Sequence, residues 1–238
     1  MRAQLIRVAT EAEAAREASR LIAAHINAKR DALVTLAAGF TPLAAYQELV
    51  VMQSRGEVDL TSVRYVGLDE WVGLGENDEG SCIFTMNGAF YQPAGIPKEN
   101  IRVFDGTAKD ICAEAQAINA YMEATGGLSL AVLGIGMNGH VGFNEPGNPL
   151  EGQFSLTPLS AVTQAVGRKY FSGNAAPKTG ATLTLNALTA AKHSILIATG
   201  AHKREIAKAV LAGESSLPAA TFLNHPGAVY IFDAACCP

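Results

Sequence analysis

The sequence predicts a single-domain, Rossmann-like α/β fold over residues 1–238, a mostly parallel sheet with helices on both faces. Three observations predict it. Short apolar runs at 32–38, 63–68, 128–135, 194–199 and 228–232 each stop at a glycine or an aspartate, as strands buried on both sides do. Stretches of helical periodicity lie between several of them, and strand–loop–helix repetition implies right-handed crossovers and a covered parallel sheet. No Pro/Ser-rich linker and no internal repeat divides the chain.

Residues 10–28 open the pattern: Thr10 is placed to cap a helix, Glu13 stands three positions on as in a capping box, and Leu21, Ile22 and Ile26 are at helical spacing. The strand at 32–38 stops at Gly39, and Thr41-Pro42 reads as an N-cap and first helical residue of a helix running to about Arg55. A strand from Val63 to Leu68 delivers Asp69. An amphipathic helix is expected over 108–125, followed by the apolar strand 128–135. Ser194–Thr199 reads as a strand, His202–Leu211 as a helix, and 228–232 as a last strand.

The bulk numbers exclude several classes. With 49% hydrophobic and 17% charged residues the chain has ample material for a core. A net charge of −4 without any basic run gives nucleic acid no footing. No apolar stretch approaches the roughly 18 residues of a membrane span, and the first residues lack a signal-peptide core, so a soluble cytoplasmic protein is expected. The four cysteines have no disulfide-framework or metal-knuckle spacing, and the five histidines are dispersed, so neither a metal nor a cofactor is expected.

In an open α/β sheet, ligands bind beyond the carboxyl ends of the strands. Gly39–Thr41, Asp69-Glu70, 136–145 and 200–203 all fall there. Gly39, Phe40 and Thr41 join a strand to a helix start, where free N–H groups and the helix dipole favour an anion; the segment also reads as an ordinary capped turn. Lys203 opens a later helix against the dipole, which a bound anion would explain. Arg168 and Lys169 form a second basic pair, in a stretch without clear periodicity.

The loop Gly136-Met137-Asn138-Gly139-His140-Val141-Gly142-Phe143-Asn144-Glu145-Pro146 carries the chemistry. Its glycines let backbone fold closely around a ligand, and a carboxylate five residues after His140 prepares that histidine for proton transfer. Asp69 or Glu70 is the candidate base; of two adjacent acids, one usually faces the cleft and the other faces away.

Leu68-Asp69-Glu70-Trp71-Val72-Gly73-Leu74, taken with Gly134-Ile135-Gly136-Met137-Asn138-Gly139-His140 and Phe143-Asn144-Glu145-Pro146, resembles the glucosamine-6-phosphate deaminase (isomerase) family, over nearly the whole chain. The resemblance implies the fold shared with 6-phosphogluconolactonase and a small amino sugar phosphate as partner, in a monomer or a homo-oligomer. It implies that His140, oriented by Glu145, assists ring opening, and that Asp69 moves a proton from C2 to C1 before water replaces ammonia. Gly39, Phe40, Thr41, Glu70, Gly136, Gly139 and Lys203 would surround substrate and phosphate, with Arg168 and Lys169 competing for a further phosphate contact. Two departures stand out: Asn138 where the family has aspartate, and Gly142 where typical members have alanine. Both look more like the galactosamine-6-phosphate branch, which yields tagatose 6-phosphate instead of fructose 6-phosphate. A lactone hydrolase and an inactive sugar-phosphate-binding regulator are the competing readings. Residues 149–163 hold no Lys or Arg, so no allosteric site is expected, and 147–176 reads as a lid.

Overall fold

The computed structural model describes residues 3–147, 151–171 and 176–237. Its frame is a seven-stranded sheet in the order β1-β10-β9-β6-β2-β3-β5, with every pairing parallel. The strands are β1 (Gln4–Val8), β2 (Leu33–Leu36), β3 (Arg64–Gly67), β5 (Ile101–Arg102), β6 (Leu130–Gly134), β9 (His193–Ala198) and β10 (Ala228–Asp233). A second, antiparallel sheet of β4 (Asp69–Trp71), β8 (Thr179–Leu183) and β7 (Phe154–Pro158) lies beside it.

Alternation along the central strands sorts side chains to two faces. Leu130, Val132, Ile195 and Ile197 pack against α1 (Glu11–Ala28), α2 (Phe40–Ser54) and α3 (Cys82–Met86). Ala131, Leu133, Leu196 and Ala198 pack against α4 (Ile111–Ala124), α6 (Leu185–Ala190) and α7 (Arg204–Ala212). α5 (Ala161–Gly167) belongs to neither layer; its C-terminal end lies over Trp71, where a Cβ at Gly167 would meet the indole at 2.6 Å. Among the described residues, no helix is long and apolar enough to cross a membrane, and no group of three or more His, Cys, Asp or Glu could hold a metal.

The α1 start forms as the capping box predicts: Thr10 accepts the Glu13 N–H at 3.2 Å. The Glu13 carboxylate, however, reaches one residue further back, to the Ala9 N–H at 2.7 Å. Asp110 begins α4 three residues later than periodicity suggests, because its carboxylate takes the N–H groups of Cys112 and Ala113. Thr41 is not the cap of α2. Gly39 holds that place with no side-chain bond, so the first-turn N–H groups stay uncovered. Lys203 closes a short 3-10 turn (Ala201–Lys203) that caps α7, and Arg168 and Lys169 follow the end of α5 in ordered structure. The largest departure is at Asp69, expected in a loop. Leu68 turns the chain out of the main sheet, and Asp69–Trp71 pairs with Thr182, Ala181 and Gly180 of β8, a partner 110 residues away that local periodicity cannot reveal. Within 147–176 the chain forms β7 and α5, while 148–150 and 172–175 lie outside the described residues.

Thr35, fully buried in the middle of β2, is the buried side chain whose hydroxyl finds no partner among the described residues. A buried unpaired hydroxyl costs about 1–3 kcal/mol. Thr35→Val, which keeps the shape and removes that group, is therefore expected to match or exceed wild-type stability by up to that amount, read as the midpoint of denaturant unfolding.

Candidate active site

The strand order changes direction between β2 and β6. From β2 the chain builds outward through β3 to β5; from β6 it builds the other way through β9 to β10. The loops that follow β2 and β6 therefore separate at the sheet's carboxyl edge and leave a crevice. A pocket of about 620 Å³ occupies it, lined by Ala37–Pro42 from one loop and Gly134–Met137 with His140 from the other. Asp69 and Trp71 of β4, Cys82 of α3, residues of α5, and His202 and Lys203 complete the wall.

The strand pleat of β4 divides the two adjacent acids. Asp69 faces the pocket, and burial pushes its carboxyl up to about 7, with a hydrogen bond from Cys82 pulling modestly the other way. Glu70, only 2% exposed, points away. Its Oε1 accepts the N–H groups of Trp71 (2.8 Å) and Cys82 (2.9 Å), and its Oε2 accepts that of Ile83 (2.9 Å). Burial pushes Glu70 up to about 7 against those three donors, so both carboxyls carry the strain of desolvation. Glu70 anchors the start of α3 and does not line the large pocket.

His140 is held through a relay. Its Nδ1 lies 2.6 Å from Asn138 Oδ1, and Asn138 Nδ2 donates to Glu145 Oε2 at 2.8 Å. The direct His140–Glu145 separation is 4.0 Å, so Glu145 reaches the imidazole chiefly through Asn138. The Glu145 carboxylate can only accept, which forces the Asn138 amide nitrogen toward it and the amide oxygen toward the imidazole. Nδ1 must then carry the hydrogen, leaving the Nε2 lone pair free. Burial pushes the His140 pKa down, the Glu145 charge opposes this and Lys203 adds to it, and the ring is neutral at neutral pH. Burial opposes ionisation of Glu145 as well, but hydrogen bonds from Thr163 and Asn138 hold its carboxyl below the ordinary value.

Gly136 lies directly beneath this histidine: a Cβ there would press far inside van der Waals contact with the ring atoms, so the imidazole would have to move. Gly139 turns the loop at φ 80° and is buried behind it. Asn144 is structural: it donates to the carbonyls of Val141 and Leu183 and accepts the Leu185 N–H, pinning the loop to β8.

The opposite end of the pocket suits an anion. Gly39, Phe40 and Thr41 present the uncapped start of α2, and Lys203, His202 and Lys169 line the same pocket. Lys203 Nζ donates to the Ile135 carbonyl at 2.7 Å, which ties the β9 loop to the His140 loop and leaves two of its hydrogens. Of the competing basic pair, Lys169 lines the pocket and Arg168 does not. Sequence reasoning missed Cys82, Thr163 and Tyr170, while His202 falls within the 200–203 segment it had singled out.

Fold and site thus define an α/β protein whose sheet-edge pocket gathers Asp69, His140, Lys203 and the uncapped start of α2. Comparison with known proteins gives the family: the profile described as glucosamine-6-phosphate isomerases/6-phosphogluconolactonase matches residues 7–231, and the chain belongs to that family. It is 33% identical over 224 residues to the glucosamine-6-phosphate deaminase of Thermoanaerobacter pseudethanolicus, covering 93% of this chain and 88% of that one. A protein of the same name from Lachnoclostridium phytofermentans is 33% identical over 237 residues, 98% and 99% of the two chains. Among solved structures, a monomeric glucosamine-6-phosphate deaminase superposes with a TM-score of 0.93 at 28% identity, covering 98% of both chains. The 6-phosphogluconolactonase of Thermotoga maritima shares the fold at a TM-score of 0.78 and 21% identity, over 97% and 99% of the chains.

Asn138→Asp replaces the relay's donor with a second carboxylate beside Glu145. The His140 pKa is expected to rise, read by NMR titration of its ring protons. Asp69 gives a second test. Its folded pKa lies above the unfolded value, so the stability it lends below about pH 4 is lost as pH rises through about 7. Asp69→Asn should accordingly melt higher than wild type at pH 8, with the gap closing toward pH 4.

Proposed function

We propose that the protein opens, isomerises and deaminates a 2-amino-2-deoxyhexose 6-phosphate, giving a 2-ketohexose 6-phosphate and ammonia. The observation that carries this reading is one pocket holding two different proton carriers opposite an anion site: neutral His140 with a free Nε2, and Asp69 with a pKa near the working pH. The phosphate would sit on the α2 start, with Lys203 and Lys169 beside it.

His140 Nε2 takes the proton of the anomeric hydroxyl and returns it to the ring oxygen, which frees the aldehyde. Asp69 removes the C2 proton, the carbonyl oxygen takes one from solvent, and an enolamine forms; water addition later returns a proton to solvent. Return of the proton to C1 leaves an iminium at C2. Water adds there, and the carbinolamine expels ammonia, so each turnover consumes one water. No step requires a redox or metal partner. The four free cysteines suit a reducing compartment, which supports the cytoplasm as its location.

A lactone hydrolase needs a single base to activate water and leaves Asp69 without a task. Within the deaminase reading the names of the relatives favour glucosamine 6-phosphate. Asn138 and Gly142 favour galactosamine 6-phosphate as a second reading, on their likeness to that branch.

Ammonia release from the two epimers, assayed side by side, tests both: the glucosamine reading requires faster turnover of that epimer, and the galactosamine reading the reverse. Release from neither, with lactone hydrolysis instead, would overturn the proposal. The acid limb of kcat/KM should fall near pH 7, where Asp69 ionises. Asp69→Asn should abolish exchange of the C2 proton with solvent while the substrate still binds.

A further inference from the structure

The Asp69 carboxylate must hold one oxygen toward a carbon-bound proton and yet keep a high proton affinity. Strong N–H or O–H donors would fix it but stabilise its anion and weaken the base. Among the described residues it accepts a single hydrogen bond, from Cys82 Sγ to Oδ1 at 3.6 Å. We infer that Cys82 is a positioning residue for the Asp69 base, its thiol fixing Oδ1 so that Oδ2 takes the proton, and that Glu70 exists to hold Cys82 there. The inference rests on the deaminase reading for its kinetic consequence, not for the contact itself.

The thiol does not reach Asp69 by accident of packing, because the backbone that carries it is fixed from several directions. Cys82 is the first residue of α3, and Glu70 takes its N–H at 2.9 Å and that of Ile83 at 2.9 Å. The preceding Ser81 caps the helix by accepting the Phe84 N–H at 3.0 Å and donates to the Gly75 carbonyl at 2.8 Å. The two adjacent acids thus act in series: Glu70 clamps the helix start whose first side chain touches Asp69. On the other side of the carboxyl, Gly142 packs against Thr182 and Oδ2: a Cβ there would lie 2.8 Å from Thr182 Oγ1 and in ordinary contact, 3.5 Å, with Oδ2.

A thiol suits the task. It is a weak donor, so it orients a carboxylate while leaving most of its basicity. Burial and the neighbouring carboxylates push the Cys82 thiol well above its ordinary pKa, so it stays protonated and remains a donor across the working range. An alanine would remove the bond, and a serine would replace it with a stronger one.

The test is that ordered series. Cys82→Ala and Cys82→Ser are made in the full chain, and the acid limb of kcat/KM is measured on whichever amino hexose 6-phosphate is turned over. The limb should move up by roughly half a pH unit in the alanine variant and down in the serine variant, with kcat changing and KM little affected. A purely structural role would lower activity without ordering the limbs. Titration of the Asp69 carboxyl band in the infrared, identified by difference against Asp69→Asn, reads the same order with no substrate present. Should the variants not fold, the wild-type S–H stretch still decides: it should shift to lower frequency as Asp69 ionises. Limbs and carboxyl band unmoved in folded variants, or an S–H stretch insensitive to pH, would overturn the inference. If the infrared series holds and no amino sugar is deaminated, the Cys82 contact stands and the functional reading falls.

Discussion

The parallel pairing of β2 with β6, in which Val34 faces Leu130 and Leu36 faces Val132, is the contact on which the site depends. Those neighbours in space are far apart in sequence, and the chain leaves them in opposite directions, toward β3 from one and toward β9 from the other. Two loops that would otherwise cross the sheet edge side by side are drawn apart, and the gap becomes the pocket. Each loop then supplies what its own end allows. After β2 comes an uncapped helix start, which offers backbone hydrogens to an anion. After β6 comes a glycine-rich turn, which brings an imidazole down onto bare backbone at Gly136.

The second sheet extends this arrangement at a cost in stability. β4 leaves the main sheet directly after β3 and carries Asp69 to the pocket wall, and its partner β8 also receives the loop bearing Glu145 through Asn144. Both Asp69 and Glu70 are desolvated as a result, which works against folding with charged carboxylates. Glu70 is compensated by three backbone donors. Among the described residues Asp69 has one weak donor, so its carboxyl is far less tied down than that of Glu70.

The alternation of apolar runs and helical stretches was enough to read the main sheet and most of its helices, because buried parallel strands and amphipathic helices leave local signatures. So was the cluster of candidate groups at the strand ends. β1 and β5, at the two edges of the sheet, and the antiparallel sheet were not legible. Asp69–Trp71 is only three residues long, and its strand character comes from Thr182, Ala181 and Gly180 far along the chain. For the same reason spacing could not separate Asp69 from Glu70: the pleat that divides them exists only once β4 is paired. Thr163 and Cys82 escaped notice because a hydroxyl or thiol means nothing until a carboxylate folds against it. Thr41 was misread as the cap because threonine caps helices so often, while the cap proved to be Gly39, two residues earlier.

Asn138 concentrates what remains distinctive in this chain. An aspartate between His140 and Glu145 would place two carboxylates in contact, and the histidine would be drawn toward its charged form. The amide instead passes a hydrogen bond along while adding no charge, so the imidazole keeps one defined tautomer and stays neutral. The far end of the relay lies on α5, where Thr163 donates to Glu145 and Ser160 donates to Thr163 at 3.2 Å. α5 also supplies Val162 and Val166 to the pocket wall. The helix that lines the pocket is therefore bonded to the group that orients the histidine, and loss of those hydroxyl donors would raise the proton affinity of Glu145.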